Sequence, residues 1–383
     1  YGIRFVKDMR MEDQKKIHTL RGGLPLTSGI PTGYPLKIAT WDRPIAVEVL
    51  EPRSTQVSFW YNYRLDSGLV REEVRKSAGI VYGTYGRGRF VWMGFEINSV
   101  IGQQEDFIFF DKLFNNSIKW LSYQPIAVMR DWPRNYKAAA IIVSSLGKEF
   151  QNVRNLLPIL RSEGVKSVFF MEPDIAERNS DLVRTLGNFG EVGATIDIGY
   201  LDSVNDTINQ LYDFQTQKDR IYAGKNEIRL ITNKVVNGIY PFYGLFDENT
   251  LHAITELGIK YIITDSLTDR SVPKTIIKGD KSVISITKTA RDDYEVIRDF
   301  GLTETEFQLY TYKEDIDRVI FEGGLYVSKL HSEFQLRPEN VAVVRELIRY
   351  MKSKNIWITD PTTLYYYWTQ KNKIELHTEM RGF

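Results

Sequence analysis

The chain has 383 residues, 43% hydrophobic and 26% charged, with 50 basic and 49 acidic side chains and a formal net charge of +1. That length allows two separate cores, and so even a charge balance excludes strong electrostatic attraction to nucleic acid or an acidic membrane. The absence of cysteine excludes disulfides, thiolate nucleophiles and cysteine-based zinc sites, and no apolar run reaches the roughly 20 residues of a membrane-spanning helix.

Residues 1–125 are rich in short strands. Ile45–Leu50, Val57–Tyr61, Gly79–Tyr82 and Arg89–Gly94 carry β-type runs, with turns at Glu51-Pro52-Arg53 and Gly86-Arg87-Gly88. Gly83, Gly86 and Gly88 join two strands rather than a strand to a helix, so they predict a hairpin and not a nucleotide loop. Phe107, Phe110, Leu113, Phe114, Ile118 and Leu121 recur at helical spacing and predict a helix over 107–121. A proline-bearing linker, 126–134, follows.

Beyond it, strand and helix alternate. Strand Ala138–Val143 precedes helix Asn152–Ser162, Ser167–Met171 precedes Ser180–Asn188, and Val192–Ile196 precedes Val204–Ile221. Val235–Tyr240 precedes Glu248–Leu257, Tyr261–Thr264 is a short strand, and an irregular stretch follows it. Leu325–Leu330 precedes Pro338–Ser353, and Ile356–Ile358 precedes Thr362–Lys371. Such alternation predicts a parallel sheet with crossover helices, closed as a barrel or doubly wound. This body spans 135–376 and the tail 377–383. Lys373–His377 reads as strand-like, both ends read as cuts into something larger, and any targeting sequence lies outside the visible chain.

In such folds the working groups follow the carboxyl ends of the strands. The first strand delivers Ser144 and Ser145 there, with Glu149 beyond. Later strands deliver Thr195, Asp197 and Gly199, then Tyr240 and Tyr243, then Asp265 and Ser266, then His331 with Glu333. Tyrosines at such positions suit sugar contacts as well as core filling.

The order and spacing of these segments resemble the polysaccharide deacetylase (NodB-homology) family. The carriers are Gly238-Ile239-Tyr240-Pro241-Phe242-Tyr243-Gly244 with Asp247–Leu251, then Gly323–His331, whose strand ends in Leu-His. Leu186–Tyr200 stands where that family carries its metal motif, and Trp132-Pro133 leads into the first strand. The resemblance implies a distorted (β/α)7-8 barrel of NodB type, preceded by a smaller strand-rich α/β domain, and an exported location. It also implies a divalent metal such as zinc held by one Asp and two His, with a neighbouring Asp as base. The chain departs from that set throughout. Ser144 and Ser145 stand where the acids belong, the histidines fall at or near Thr195 and Gly199, and Tyr240 replaces an arginine. His331 alone matches, at the general acid.

Hydroxyls and glycine are poor ligands for such an ion. The expectation is therefore a catalytically inactive, metal-free relative that binds a glycan or a cell-envelope protein through the remnant cleft. The alternative is a working metal-dependent N- or O-deacetylase using Asp197, Glu149, Asp265 and His331. A glycosidase pair, Asp197 with Asp265, is a further reading. Serine nucleophiles would need a base within hydrogen-bond reach. Each acid also reads as a loop cap, and His331 as a histidine held by a backbone or tyrosine hydrogen bond.

Residues 1–125 resemble the carboxyl half of class I glutamine-amidotransferase-like domains, through Leu26–Pro31, Gly86–Phe95 and Ser117–Leu121. Without cysteine the nucleophile of that class is missing, which implies docking or scaffolding.

Overall fold

A computed structural model describes residues 2–8, 17–61, 74–202, 207–265 and 270–379. Two large sheets organise them. The first contains β1 (Ile3–Asp8), β2 (Ile17–Leu20), β3 (Pro35–Ile38), β4 (Ile45–Val49), β5 (Ser54–Tyr61), β6 (Ala78–Tyr85), β7 (Gly88–Met93) and β8 (Val100–Ile101). Their order is β1-β4-β6-β5-β2-β3-β8, with β7 on β6. The glycine turn makes the expected hairpin, pairing Ile80 with Met93 and Tyr85 with Gly88. Helix α1 (Gln104–Leu121) buries Phe110 and Leu113 against this sheet.

The second sheet begins with β9 (Ala138–Leu146), β10 (Ser167–Met171) and β11 (Gly190–Ile196). A separate hairpin, β12 (Gly199–Asp202) and β13 (Thr207–Leu211), interrupts it before β14 (Gly238–Pro241), β15 (Tyr261–Thr264), β16 (Lys274–Lys278), β17 (Lys281–Thr287), β18 (Leu325–His331) and β19 (Ile356–Ile358). The order is β16-β17-β15-β14-β11-β10-β9-β18, with β19 on the first residues of β9. All neighbours are parallel except β16 and β17. Around it lie α2 (Val153–Glu163), α3 (Pro173–Arg178), α4 (Ser180–Leu186), α5 (Phe214–Thr232), α6 (Glu248–Glu256), α7 (Thr305–Glu322), α8 (Ala342–Ser353) and α9 (Pro361–Lys371).

Strand β9 shows why the run Ala138–Val143 is wholly apolar. Ala138, Ala140 and Ile142 face the helices, while Ala139, Ile141 and Val143 face the inside of the sheet. Side chains alternate along a strand, so covering both faces demands apolar residues at every position. The sheet is strongly curled. Lys329 on β18 meets Asp265, just past β15, at 2.6 Å, although five strand steps separate their strands in the order. A flat sheet would hold them about 24 Å apart. Among the described residues no pairing joins β16 to β18, so the distorted barrel is open between these edges.

Three expectations need correction. Val204–Ile221 is not one helix: Val204 lies outside the described residues, Thr207–Leu211 pairs with β12, and α5 starts only at Phe214. Its start is set by Asp213, whose side chain accepts the Thr216 N–H, an N-cap that releases the preceding residues to the hairpin. The irregular stretch holds β16, β17 and the 18-residue α7. Lys373–His377 forms no strand.

Trp132, Trp357 and Trp368 close the inner core at the amino end of β9, with the Trp357 and Trp368 ring centres 6.5 and 5.5 Å from that of Trp132. The first sheet is fastened to this same end. The Arg21 guanidinium lies 3.9 Å from the Phe321 ring and donates to the Phe321 and Gln56 carbonyls. Thr32 donates to Asp131, which also accepts from Lys371 at 2.8 Å. The carboxyl ends of the strands face the other way. None of these fastening contacts reaches them.

Candidate functional site

Beneath the strand tips lies a three-membered floor. Lys329 Nζ donates to Asp265 Oδ2 and to Tyr240 Oη, each at 2.6 Å, and Tyr240 Oη donates to the same Asp265 oxygen at 2.5 Å. Lys329 is placed there by alternation, since Leu325 and Val327 share its inward face. Tyr240 comes from β14, in register with Thr195 of β11. Asp265 is seated by Gly244: the glycine has φ of +65°, and a Cβ there would stand 2.0 Å from the Asp265 nitrogen.

Charge decides the protonation states of this floor. Burial opposes ionisation of Asp265, but the Lys329 and Lys288 ammonium groups outweigh it and hold its pKa at about 2. Burial likewise opposes the Lys329 charge, and Asp265, Tyr240 and Asp292 outweigh it and raise its pKa. Burial raises the Tyr240 phenol, which stays neutral. The floor is thus a fixed ion pair with a phenol bridging it.

Next to the floor, on the same strand, stands His331. Its Nδ1 lies 2.5 Å from Asp293 Oδ1, and its backbone N–H donates to Asp293 Oδ2 at 2.6 Å. Asp293 is fully buried and also accepts the Gln335 N–H at 3.0 Å. Burial would lower the His331 pKa, but the Asp293 carboxylate more than offsets it, so the net shift is upward. No other hydrogen bond reaches the ring among the described residues, which leaves Nε2 to the cleft. Tyr294 and Phe334 flank the imidazole, each with its ring centre 6.2 Å away. An oriented imidazole of raised basicity can give or take a proton, and rings beside a polar floor suit a sugar face.

The sequence-predicted residues divide. Tyr240 and Asp265 share the floor, and Ser145 lies in register with His331. Ser144 is turned away: it is fully buried on the helix side, with its hydroxyl 2.9 Å from that of Ser167. Among the described residues no base bonds either serine. Asp197 is drawn to Arg220 at 3.1 Å and accepts the Gly199 N–H. Gly199 starts β12, where a Cβ would meet Ile208 at 2.4 Å. Tyr243 holds φ of +55° in the loop after β14 and is 40% exposed. Glu149 is paired with Arg337. Ser266 lies outside the described residues.

Lys329, Asp293 and Glu172 went unpredicted. Lys329 was legible, two residues before His331 on one inward strand face. Glu172 follows β10 directly, and burial with nearby Asp174 and Asp197 raises its pKa. Asp293 gave no signal, because it sits in a patternless stretch before the π-helical turn Tyr294–Asp299.

The metal set implied by the resemblance does not fit these residues. Thr195 and Gly199 offer no anion or imidazole, and the floor carboxylate is already neutralised by Lys329. Asp197, Glu149, Asp265 and His331 are each held on a separate partner, and no three such side chains converge among the described residues. Nor can Asp265 serve as the acid of a glycosidase pair, since with a pKa of about 2 it holds no proton near neutrality.

No family model matches the chain, and no curated protein does. Solved structures do match. A Mycobacterium smegmatis protein assigned as a polysaccharide deacetylase superposes with a TM-score of 0.54 at 18% identity, over 67% of this chain and 98% of that one. A Pseudomonas aeruginosa PAO1 protein with the same assignment gives 0.54 at 16%, over 66% and 98%. This chain carries the polysaccharide deacetylase fold. Puue allantoinase shares it, with a TM-score of 0.53 at 16% identity over 66% of this chain and 97% of that one. In a polysaccharide deacetylase fold the strand tips are the expected working end, and here they hold the Lys329 floor and His331. Among the described residues no helix is long and apolar enough to cross a membrane.

Proposed function

We propose that this protein is a divergent deacetylase-like glycan-binding protein that holds a carbohydrate at the strand tips without metal-dependent hydrolysis. The observation that carries the reading is the Lys329–Asp265 pair, bridged by Tyr240: a fixed ammonium sits in the floor, and its carboxylate partner is already committed. A second positive charge brought there as a dication would be repelled by Lys329 and would have to displace it. Tyr294 and Phe334 supply ring faces, and His331 Nε2 supplies a polar contact beside them. An exported setting, facing cell-envelope glycans or the proteins bound to them, goes with this reading. The first sheet, fastened at the opposite end, acts in it as a scaffold, in keeping with its amidotransferase-like sequence features.

Calorimetric titration with oligomers of acetylated aminosugars tests the reading. Saturable binding that chelator leaves unchanged, with no acetate released, is expected. Acetate release that depends on bound metal would sink it. Loss of binding in Tyr294→Ala, with the unfolding midpoint unchanged, would locate the sugar at the His331 rim.

A further inference from the structure

Helix α1 carries an apolar arc wider than the face it buries. That face sets Phe110 and Leu113 in the first sheet. Beyond it Phe107, Ile108, Phe114, Ile118 and Leu121 remain 38% to 47% exposed. At 3.6 residues per turn, Phe107, Phe114, Ile118 and Leu121 fall within a sector of about 60°, while Ile108 lies about 80° beyond its edge. Asp111 alone interrupts the seam. The outward positions Gln104, Asp111, Asn115 and Ser122 are polar, so this exposed apolar stripe flanks the buried face and marks a surface that another molecule covers.

We propose that this face is the interface of a homodimer, formed by two copies of α1 packed antiparallel about a two-fold axis through Phe114. The spacing is what selects a second copy. Phe107 and Leu121 each lie seven residues from Phe114, so a dyad there sets Phe114 on its twin and Phe107 against the twin's Leu121. That self-complementarity is what a two-fold interface requires, and a seven-residue repeat keeps the seam aligned between packed helices. With about 150–250 Å² for a large side chain, the exposed parts of the four stripe residues come to about 300 Å². A standard interface buries about 800 Å² per partner, some 60% of it apolar, or about 480 Å². The stripe thus supplies about two-thirds of the apolar core of such an interface.

Light scattering coupled to size exclusion, at micromolar concentration, should show a dimer of the intact chain. Phe114→Glu places two carboxylates on the axis and should weaken association at least about thirtyfold, with the circular dichroism spectrum unchanged. Because the chain has no cysteine, single thiols report geometry cleanly. A short bis-maleimide should cross-link Phe114→Cys to itself, and should join Phe107→Cys to Leu121→Cys in a mixture better than either to itself. Tyr222→Cys, on exposed α5, is the control for random collision. A monomer, showing that something other than a second copy covers the face, overturns the proposal. So does a dimer that survives Phe114→Glu, or cross-linking no better than the control.

Discussion

His331 and Asp293 are joined twice, through imidazole Nδ1 at 2.5 Å and through the backbone N–H of His331 at 2.6 Å. A single carboxylate thus fixes both the strand end and the ring it carries. The ring cannot rotate without breaking the contact that stabilises its charge.

The His331 pKa is raised in the folded state. Its protonation therefore adds stability in full below the ordinary histidine value of about 6.5. That contribution is lost as pH rises through the folded value. Asp293→Asn should lower the imidazole titration, followed by proton NMR, and flatten stability across this window. An unchanged His331 titration in that variant would mean that Asp293 orients the ring without affecting its charge.

Asp265 behaves with the opposite sign. Its folded pKa of about 2 lies below the 3.8 of a free aspartate, so ionisation stabilises the fold above about pH 4 and this is lost as pH falls through 2. The shift corresponds to about 2 kcal/mol at neutral pH. Urea unfolding from pH 5 to 2 should show that slope in the natural chain and lack it in Asp265→Asn. Equal slopes would refute the assignment.

Removing one member of the floor should cost more than removing both. Lys329→Met strands a buried carboxylate and should destabilise by about 3–5 kcal/mol. Adding Asp265→Asn to it leaves neutral groups that Tyr240 can bond, and should recover over half of that loss. Denaturation of the two single variants and the double variant gives the coupling. Strict additivity would show that the pair is not coupled.

What the sequence disclosed followed its periodicities. The run Ala138–Val143, buried on both faces, and the Leu-His ending of β18 were legible because strand patterning and family spacing act over neighbouring residues. The divergence of Ser144 from Ser145 follows from the same alternation, which sends adjacent side chains to opposite faces. The Lys329–Asp265 contact was not legible. It depends on how far the sheet curls, a property of all the strands between β15 and β18. Asp293 was hidden for a related reason: its partner lies 38 residues away, with α7 between them. The β12–β13 hairpin reads as helix because Ile208 and Leu211, three residues apart, share a helix face; a strand presents both on one side only through the register shift at Asn209, which no periodicity announces.

Gly244 is where the backbone itself builds the floor. Its φ of +65° costs an alanine about 1–2 kcal/mol. An added Cβ would also meet the Asp265 nitrogen at 2.0 Å and its Cα at 2.9 Å, which forces the end of β15 to move and Asp265 away from Lys329. Gly258 provides the comparison: its φ is +69°, yet nothing lies within 4 Å of the added Cβ. Gly258→Ala should therefore cost the conformational strain alone, while Gly244→Ala should cost a further 1–3 kcal/mol or so of overpacking. Gly244→Ala should also lose much of the acid-dependent slope that Asp265 contributes, because the ion pair that depresses its pKa is stretched. Chemical denaturation of both variants at pH 7 and pH 3 separates the two effects. Equal losses for Gly244→Ala and Gly258→Ala would show that the loop after β14 yields freely and does not position Asp265.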